Sequence, residues 1–431
     1  LLLATLYWDP DRISSNNVVG TGAGLGGSGT WTEGGAPVWF NPAVNGGAGG
    51  YVSWDSSLGD TAVFAGVGGG TVTISGTVGA AGVEFRGAGY TVSGGDFAVP
   101  TTGTVFTATV NARFDTPLAG GGGIVKTGAA TVTLGAALHT YTGDTAVNAG
   151  TLAVSNASGL GSTAAGTTVA SGATLDIQNA AVGAEAIALN GATLRTSTGT
   201  SSLAGDITLG ALGTVDVSGT QLTLSGVISG AFGLTKSSSG TLVLSGVNTY
   251  SGNTTISGGT LTIGGAASLG SGSYAGTIAN SGTFIYASSA NQTLSGVISG
   301  TGSLQSNAAA TINLPAMLTT TAQTVATGTT VQAFLNNLAG VRQNGAWVGA
   351  SQARIGSPVY DAATNTATFR AELFDGTNTK VVWVKLTQSG SNVQAAVDTS
   401  GSRGTGAAYI AGNAMDGLWP ASGTTSVSLA T

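Results

Sequence analysis

Over most of the chain, apolar and polar positions alternate with a period of two in short runs set between glycine and asparagine turns. GTVTI ending at Ile74, GTLAV at Val154, GTLVL at Leu244, GTLTI at Ile263 and GTFIY at Tyr286 share one form: glycine, threonine, then alternating aliphatic or aromatic positions. Such alternation predicts short strands with one buried face. The threonines that open strands, Thr131, Thr151, Thr174, Thr193 and Thr214, lie 20, 23, 19 and 21 positions apart. Spacing near 20 with no helical period between the strands predicts a β-solenoid with one rung per turn, over residues 61–314.

The two ends have a different texture. Residues 1–60 hold Trp8, Trp31, Trp39 and Trp54 between Pro10, Pro37 and Pro42, and are expected to form a Trp-rich N-terminal cap over an open solenoid end. The opening LLLATL is strongly apolar for an exposed terminus. Leu1, Leu2, Leu3, Leu6, Tyr7 and Trp8 are therefore candidates for a donor strand that pairs with the solenoid or with another subunit. After Leu314, residues 331–338 (VQAFLNNL) resemble a short helix closed by Gly340. TATFRAELF (366–374), TKVVWVKLTQ (379–388) and VQAAVD (393–398), joined by DGTN and SGSN, predict an antiparallel meander. A small C-terminal β domain is expected over residues 315–431, with TSVSLA as a further strand.

Composition narrows the function classes. Only 7% of the 431 residues are charged and 74 are glycine, yet 42% are hydrophobic, enough to order a backbone. No apolar run approaches the roughly 20 residues of a membrane helix. A net charge of −6 without a Lys/Arg cluster argues against nucleic acid or an anionic membrane as partner. The chain contains no cysteine, so no disulfide, thiolate metal site or cysteine nucleophile is available. Leu1-Leu2-Leu3-Ala4 could be the tail of a secretion signal, and the chain is expected to be mature or nearly so.

Candidate chemistry is sparse. Asp176, Arg195 and Asp216 occupy the third position of TLDI, TLRT and TVDV, which predicts a charge ladder on the outer surface of three consecutive rungs. The single histidine, His139, aligns with Asn248 of a second repeat copy and reads as a turn residue. One histidine without cysteine cannot build a zinc-type site. Gly94-Gly95-Asp96 is isolated from the tandem that calcium-binding β-rolls require, so no metal or other cofactor is expected. The acids are scattered rather than clustered as in β-helical lyases and hydrolases. Lys126 and Lys236 recur at one repeat position and read as solvated rung edges. Tyr141 and Tyr250 read as corner residues, with a glycan platform as the alternative. No catalytic residue is assigned.

Residues 123–162 and 233–271 are two copies of one unit, in which Lys126, Leu134, Tyr141, Leu152 and Leu160 correspond to Lys236, Leu244, Tyr250, Leu261 and Leu269. LSGVISG recurs at residues 224–230 and 294–300. The copy GLTKSSSGTLVLSGVNTYSGNTTISGGTLTI resembles the autotransporter-associated β-strand repeat of bacterial surface proteins, with Ser238 where a glycine is usual. The resemblance implies a secreted right-handed parallel β-helix at or beyond the bacterial outer surface. The stretch after Leu314 is expected to be too short for a membrane-anchoring barrel, and Ala430-Thr431 lacks such a barrel's aromatic end. The first functional expectation is a self-assembling subunit of an extracellular fibre or surface layer. The alternative is a monomeric adhesin that binds glycan or another surface through its C-terminal domain. An enzyme is not expected.

Overall fold

A computed structural model describes residues 3–135, 138–296, 298–299, 302–306, 312–313, 323–327, 354–355, 359–361, 363–374, 379–389 and 392–397. Leu1, Leu2, the expected helix at 331–338, the DGTN turn and the TSVSLA strand lie outside the described residues, as does the boundary at Leu314. Among the described residues, regular structure is all β apart from short 3-10 turns, and the strands form a parallel β-solenoid of about 11 turns in all. The chain divides into two compact units, Leu1–Phe232 and Gly233–Thr431. That division falls at the first residue of the second repeat copy.

In the first unit, one sheet stacks Thr61–Phe64, Gly82–Phe85, Thr104–Ala108, Ile124–Thr127, Thr145–Val147, Gly166–Val169, Ala186–Leu189 and Ile207–Leu209, all parallel. A second sheet runs from Gly70–Gly79 through Tyr90–Ala98, Ala112–Phe114, Thr131–Leu134, Thr151–Val154, Thr174–Ile177 and Thr193–Thr196 to Gly213–Val217. A third side starts at Ala181–Val182 and continues with Thr200–Leu203 and Gln221–Leu224. Thr131, Thr151, Thr174, Thr193 and Thr214 are successive Cα partners, the register their spacing predicts. Consequently Val132, Leu152, Leu175, Leu194 and Val215 stack in one fully covered inner column. Each such aliphatic side chain stabilises the fold by roughly 1.5–3 kcal/mol relative to exposure.

The first strand, Thr5–Trp8, is covered on both edges by its own chain. It pairs in parallel with Thr61–Phe64 and antiparallel with Trp39–Asn41, which pairs antiparallel with Gly50–Val52. Leu6, Tyr7 and Trp8 are buried, so they present no surface to another subunit; only Leu3 of the described candidates is exposed. Of the two outcomes expected for this strand, the structure has the first: it pairs with its own chain, at residues 39–41 and 61–64, and not with another subunit. Trp8, Trp31, Trp39 and Trp54 pack together with centroids 4.7–5.1 Å apart, mostly edge to face. The Trp8 and Trp54 indoles donate to the carbonyls of Gly27 and Gly79, both at 2.9 Å.

The second unit repeats the parallel stacking. Leu234–Ser237, Thr254–Ile256 and Ile278–Asn280 form one line, and Thr241–Leu244, Thr260–Gly265, Thr283–Ser288 and Ser303–Ser306 another. Ser273–Tyr274, Gln292–Leu294 and Ile312–Asn313 form a third. Further on, Thr366–Phe374, Thr379–Ser389 and Asn392–Val397 are antiparallel neighbours, as the meander predicts, and Gln323–Thr327 pairs with the last of them.

Both repeat copies turn at the residue two beyond the lysine. Gly128 has φ +76° and Ser238 has φ +65°, a left-handed conformation natural to glycine and strained for serine. Ser238→Gly is expected to raise unfolding free energy by about 0.5–1 kcal/mol. Gly128→Ala is expected to lower it by about 2 kcal/mol or more, because its Cβ would run into the Ala108 carbonyl. Urea denaturation of both variants checks the pair, and a loss of stability in Ser238→Gly would contradict it.

Candidate functional site

Alternation decides which side chains enter the solenoid, and it places Lys126 inside. Ile124 and Lys126 share one phase, and Lys126 stacks between Phe106 and Val147 in a core column. Lys236 stacks on Ile256 in the same way. Neither lysine is exposed. The Lys126 ammonium donates to the carbonyls of Thr127 (2.7 Å), Gly128 (2.8 Å) and, one rung on, Ala149 (3.0 Å). Lys236 does the same to Ser237 (2.8 Å), Ser238 (2.8 Å) and Gly258 (3.2 Å). The reading of these lysines as solvated rung edges is therefore wrong: each caps the carbonyls of a turn and ties that turn to the next. Burial lowers the Lys126 amine to about 8, but its protons are committed to carbonyls, which leaves no free nucleophile.

Tyr141 and Tyr250 are fully buried corner residues, which removes the glycan platform. Their hydroxyls bond to Thr145 at 2.7 Å and Thr254 at 2.8 Å, four positions on. His139 is buried as well. Its Nδ1 accepts the Leu118 N–H at 3.2 Å, which puts the neutral ring's proton on Nε2, a buried atom with no bonding partner. Desolvation depresses this imidazole to about 4, opposed by the nearby Asp115 carboxylate. Asn248, at the same repeat position, donates to the carbonyls of Gly246 and Ser268. Both residues satisfy corner backbone groups, so His139 is a structural corner residue.

The register brings Asp176, Arg195 and Asp216 into one column, but not as a solvated ladder. Asp176 is only 1% exposed. Its carboxylate accepts from Arg195 Nη2 at 3.1 Å, Gln178 Nε2 at 2.9 Å and the Ser197 N–H at 3.0 Å. The outward phase holds, while Gln178 and Ser197 cover the acid. Asp216 Oδ1 is buried without a hydrogen bond, so Arg195 serves one acid rather than two. At Gly94-Gly95, both carbonyls accept from the Thr116 hydroxyl, which occupies them.

Glu185 is one of the buried acids that the sequence pattern did not single out. Glu185 shares the inward phase of Ile187 and Leu189 and is 2% exposed. Its Oε1 accepts from the Thr167 hydroxyl at 2.8 Å, and its Oε2 has no partner. Thr167 is the Cα partner of Thr145, so Tyr141, Thr145, Thr167 and Glu185 form a polar seam inside the apolar core. Burial raises the Glu185 carboxyl to about 7, helped by the Asp144 charge. Among the described residues no group of three or more His, Cys, Asp or Glu side chains is placed to hold a metal, and no helix is long and apolar enough to cross a membrane.

Residues 124–154 and 234–263 match the passenger-associated-transport-repeat family. Part of the chain is similar to the "Adhesin BmaC autotransporter" of Brucella suis biovar 1 (strain 1330), 33% identical over 178 residues. That alignment covers 41% of this chain and 5% of the adhesin, so the chain spans a small fraction of that relative's length. No solved structure matches.

Lys126→Met and Lys236→Met are each expected to lower unfolding free energy by about 2–4 kcal/mol, by removing three charge-assisted hydrogen bonds inside the core. Chemical denaturation checks this, and an unchanged midpoint in both variants would contradict it. His139 and Glu185 predict opposite pH effects. Between 6.5 and 4 the unfolded chain holds the extra histidine proton, so that contribution is present above 6.5 and lost as pH falls towards 4. Between 4.5 and 7 the folded chain holds the extra Glu185 proton, so that contribution is present below 4.5 and lost as pH rises through 7. His139→Asn is expected to flatten the acid limb and Glu185→Gln the neutral limb, each by about 1–3 kcal/mol, in urea melts run across that range.

Proposed function

From a chain that carries autotransporter passenger repeats, we propose a segment of a bacterial surface passenger that acts as an adhesin and performs no catalysis. The observation that carries this reading is the pair of repeat copies whose polar residues hold the solenoid together. Lys126, Lys236, Tyr141, Tyr250 and His139 are consumed in bonds within and between rungs. Similarity to an autotransporter adhesin supports the same reading and a location at the cell surface or outside the cell. Its ligand is a glycan or another surface component, and the antiparallel sheet around Thr366–Phe374 and Thr379–Ser389 is the proposed reader.

Fibre assembly loses one of its physical motives, because the N-terminal strand that could have paired with another copy is enclosed by its own chain. The adhesin reading needs no such free edge. The purified 431-residue chain is expected to remain monomeric and to be retained saturably on a glycan array or on a cell layer. Concentration-dependent filaments in electron micrographs, with no retention on either surface, would overturn it.

A further inference from the structure

The strand Thr5–Trp8 runs into Asp9, a fully buried acid. Its Oδ2 accepts from the Tyr51 hydroxyl and from Asn17 Nδ2 at 2.7 Å. Asn17 Nδ2 also donates to the Tyr51 oxygen at 3.1 Å. This arrangement fixes the amide: turned over, the Asn17 oxygen would face a carboxylate oxygen. The remaining oxygens of the cluster are left over, since Asp9 Oδ1 and Asn17 Oδ1 are both buried and neither has a hydrogen-bond partner. Asp11 adds a second carboxyl within hydrogen-bonding reach of Asp9, and its own Oδ1 accepts the Ile13 N–H at 2.8 Å. Ion pairs among the described residues use Arg86, Arg113 and Arg195 with other acids, so neither Asp9 nor Asp11 has a cationic side chain against it.

Two carboxyls this close, one of them desolvated, need a positive charge between them or a shared proton. A proton on Asp9 Oδ1, donated to the Asn17 oxygen, is the competing answer, and it leaves the Asp11 charge to solvent. A cation answers all three oxygens together. We propose that Asp9, Asp11 and Asn17 form a binding site for a hard divalent cation of the calcium class. The donors are all oxygen, and two carboxylates match the charge of such an ion. Water and nearby backbone carbonyls complete its 6–8 ligands, an arrangement for which Asp9 Oδ1 and Asn17 Oδ1 form the buried floor and Asp11, exposed at the surface, the outer wall. Bound there, the ion clamps the excursion that carries Asp11 and Asn17 onto the end of the first strand.

Terbium ions on the 431-residue chain test this directly, because Tyr51 and Trp8 stand beside the site and sensitise terbium emission. The expected result is saturable luminescence that calcium displaces. Asp11→Ala, a surface change, should weaken the signal at least tenfold with unchanged circular dichroism, and Asp9→Asn should abolish it. Chelation should lower the melting temperature of the unaltered chain and leave Asp11→Ala unmoved. Absence of saturable emission, or no thermal shift with calcium at about the millimolar level typical of extracellular modules, overturns the proposal in favour of a protonated Asp9. Emission that survives both substitutions also overturns it. Should Asp9→Asn fail to fold, Asp11→Ala alone carries the test.

Discussion

Backbone pairing between successive rungs is the interaction on which the rest depends, because it makes each residue's spatial neighbour the residue about 20 positions along the chain. Neighbouring strands are held about 4.8 Å apart, so a column must be filled by side chains of matching shape. Val132, Leu152, Leu175, Leu194 and Val215 do this and are fully covered. A charge that enters such a column must be neutralised by what lies within its own turn or the next. Lys126 and Lys236 solve this with carbonyl oxygens rather than a carboxylate. A buried ion pair would desolvate two ions; a cage of carbonyls desolvates one and satisfies turn acceptors that a rung boundary leaves open.

Much of this was readable from spacing alone. The threonine positions predicted both the rung length and the register, since a one-residue slip would have turned every Leu and Val outward. Where the reading failed, residue type had been weighed above phase. Lys126 shares the phase of Ile124, so it points inward by the rule that located the leucines, and Glu185, in phase with Ile187, does the same. Asp176 failed for another reason. Its phase is outward, but the groups that cover it, Gln178 and Ser197, sit just past the ends of their strands, where the strand pattern stops. The N-terminal strand was legible as a strand in need of neighbours. Which chain would supply them depended on the antiparallel return of Trp39–Asn41, a tertiary choice with no periodic trace.

Low charge follows from the same architecture. Cohesion rests on backbone ladders, hydroxyl bonds and aliphatic columns, and the ion pairs among the described residues are few: Arg86 with Glu84, Arg113 with Asp115, and Arg195 with Asp176. Partly exposed pairs of this kind contribute modestly and are screened by salt. The fold therefore has little to lose in media of changing ionic strength. Its pH sensitivity resides instead in isolated buried groups such as His139 and Glu185.

The distance along the chain over which these bonds reach sets an order of events. Beyond residue 100, described side-chain bonds between rungs span no fewer than the 18 positions from Thr167 to Glu185 and no more than the 24 from Ser289 to Gly265. A chain wired so locally can be laid down one rung at a time, each completed turn serving as the template for the next, even while it threads a narrow passage. The opening segment obeys a different clock. Gly27 bonds to Tyr90 across 63 positions, and Arg86 reaches Tyr7 across 79. The tryptophan cluster also packs against Phe64 and Phe97 of the first rungs, so its full enclosure needs those rungs in place.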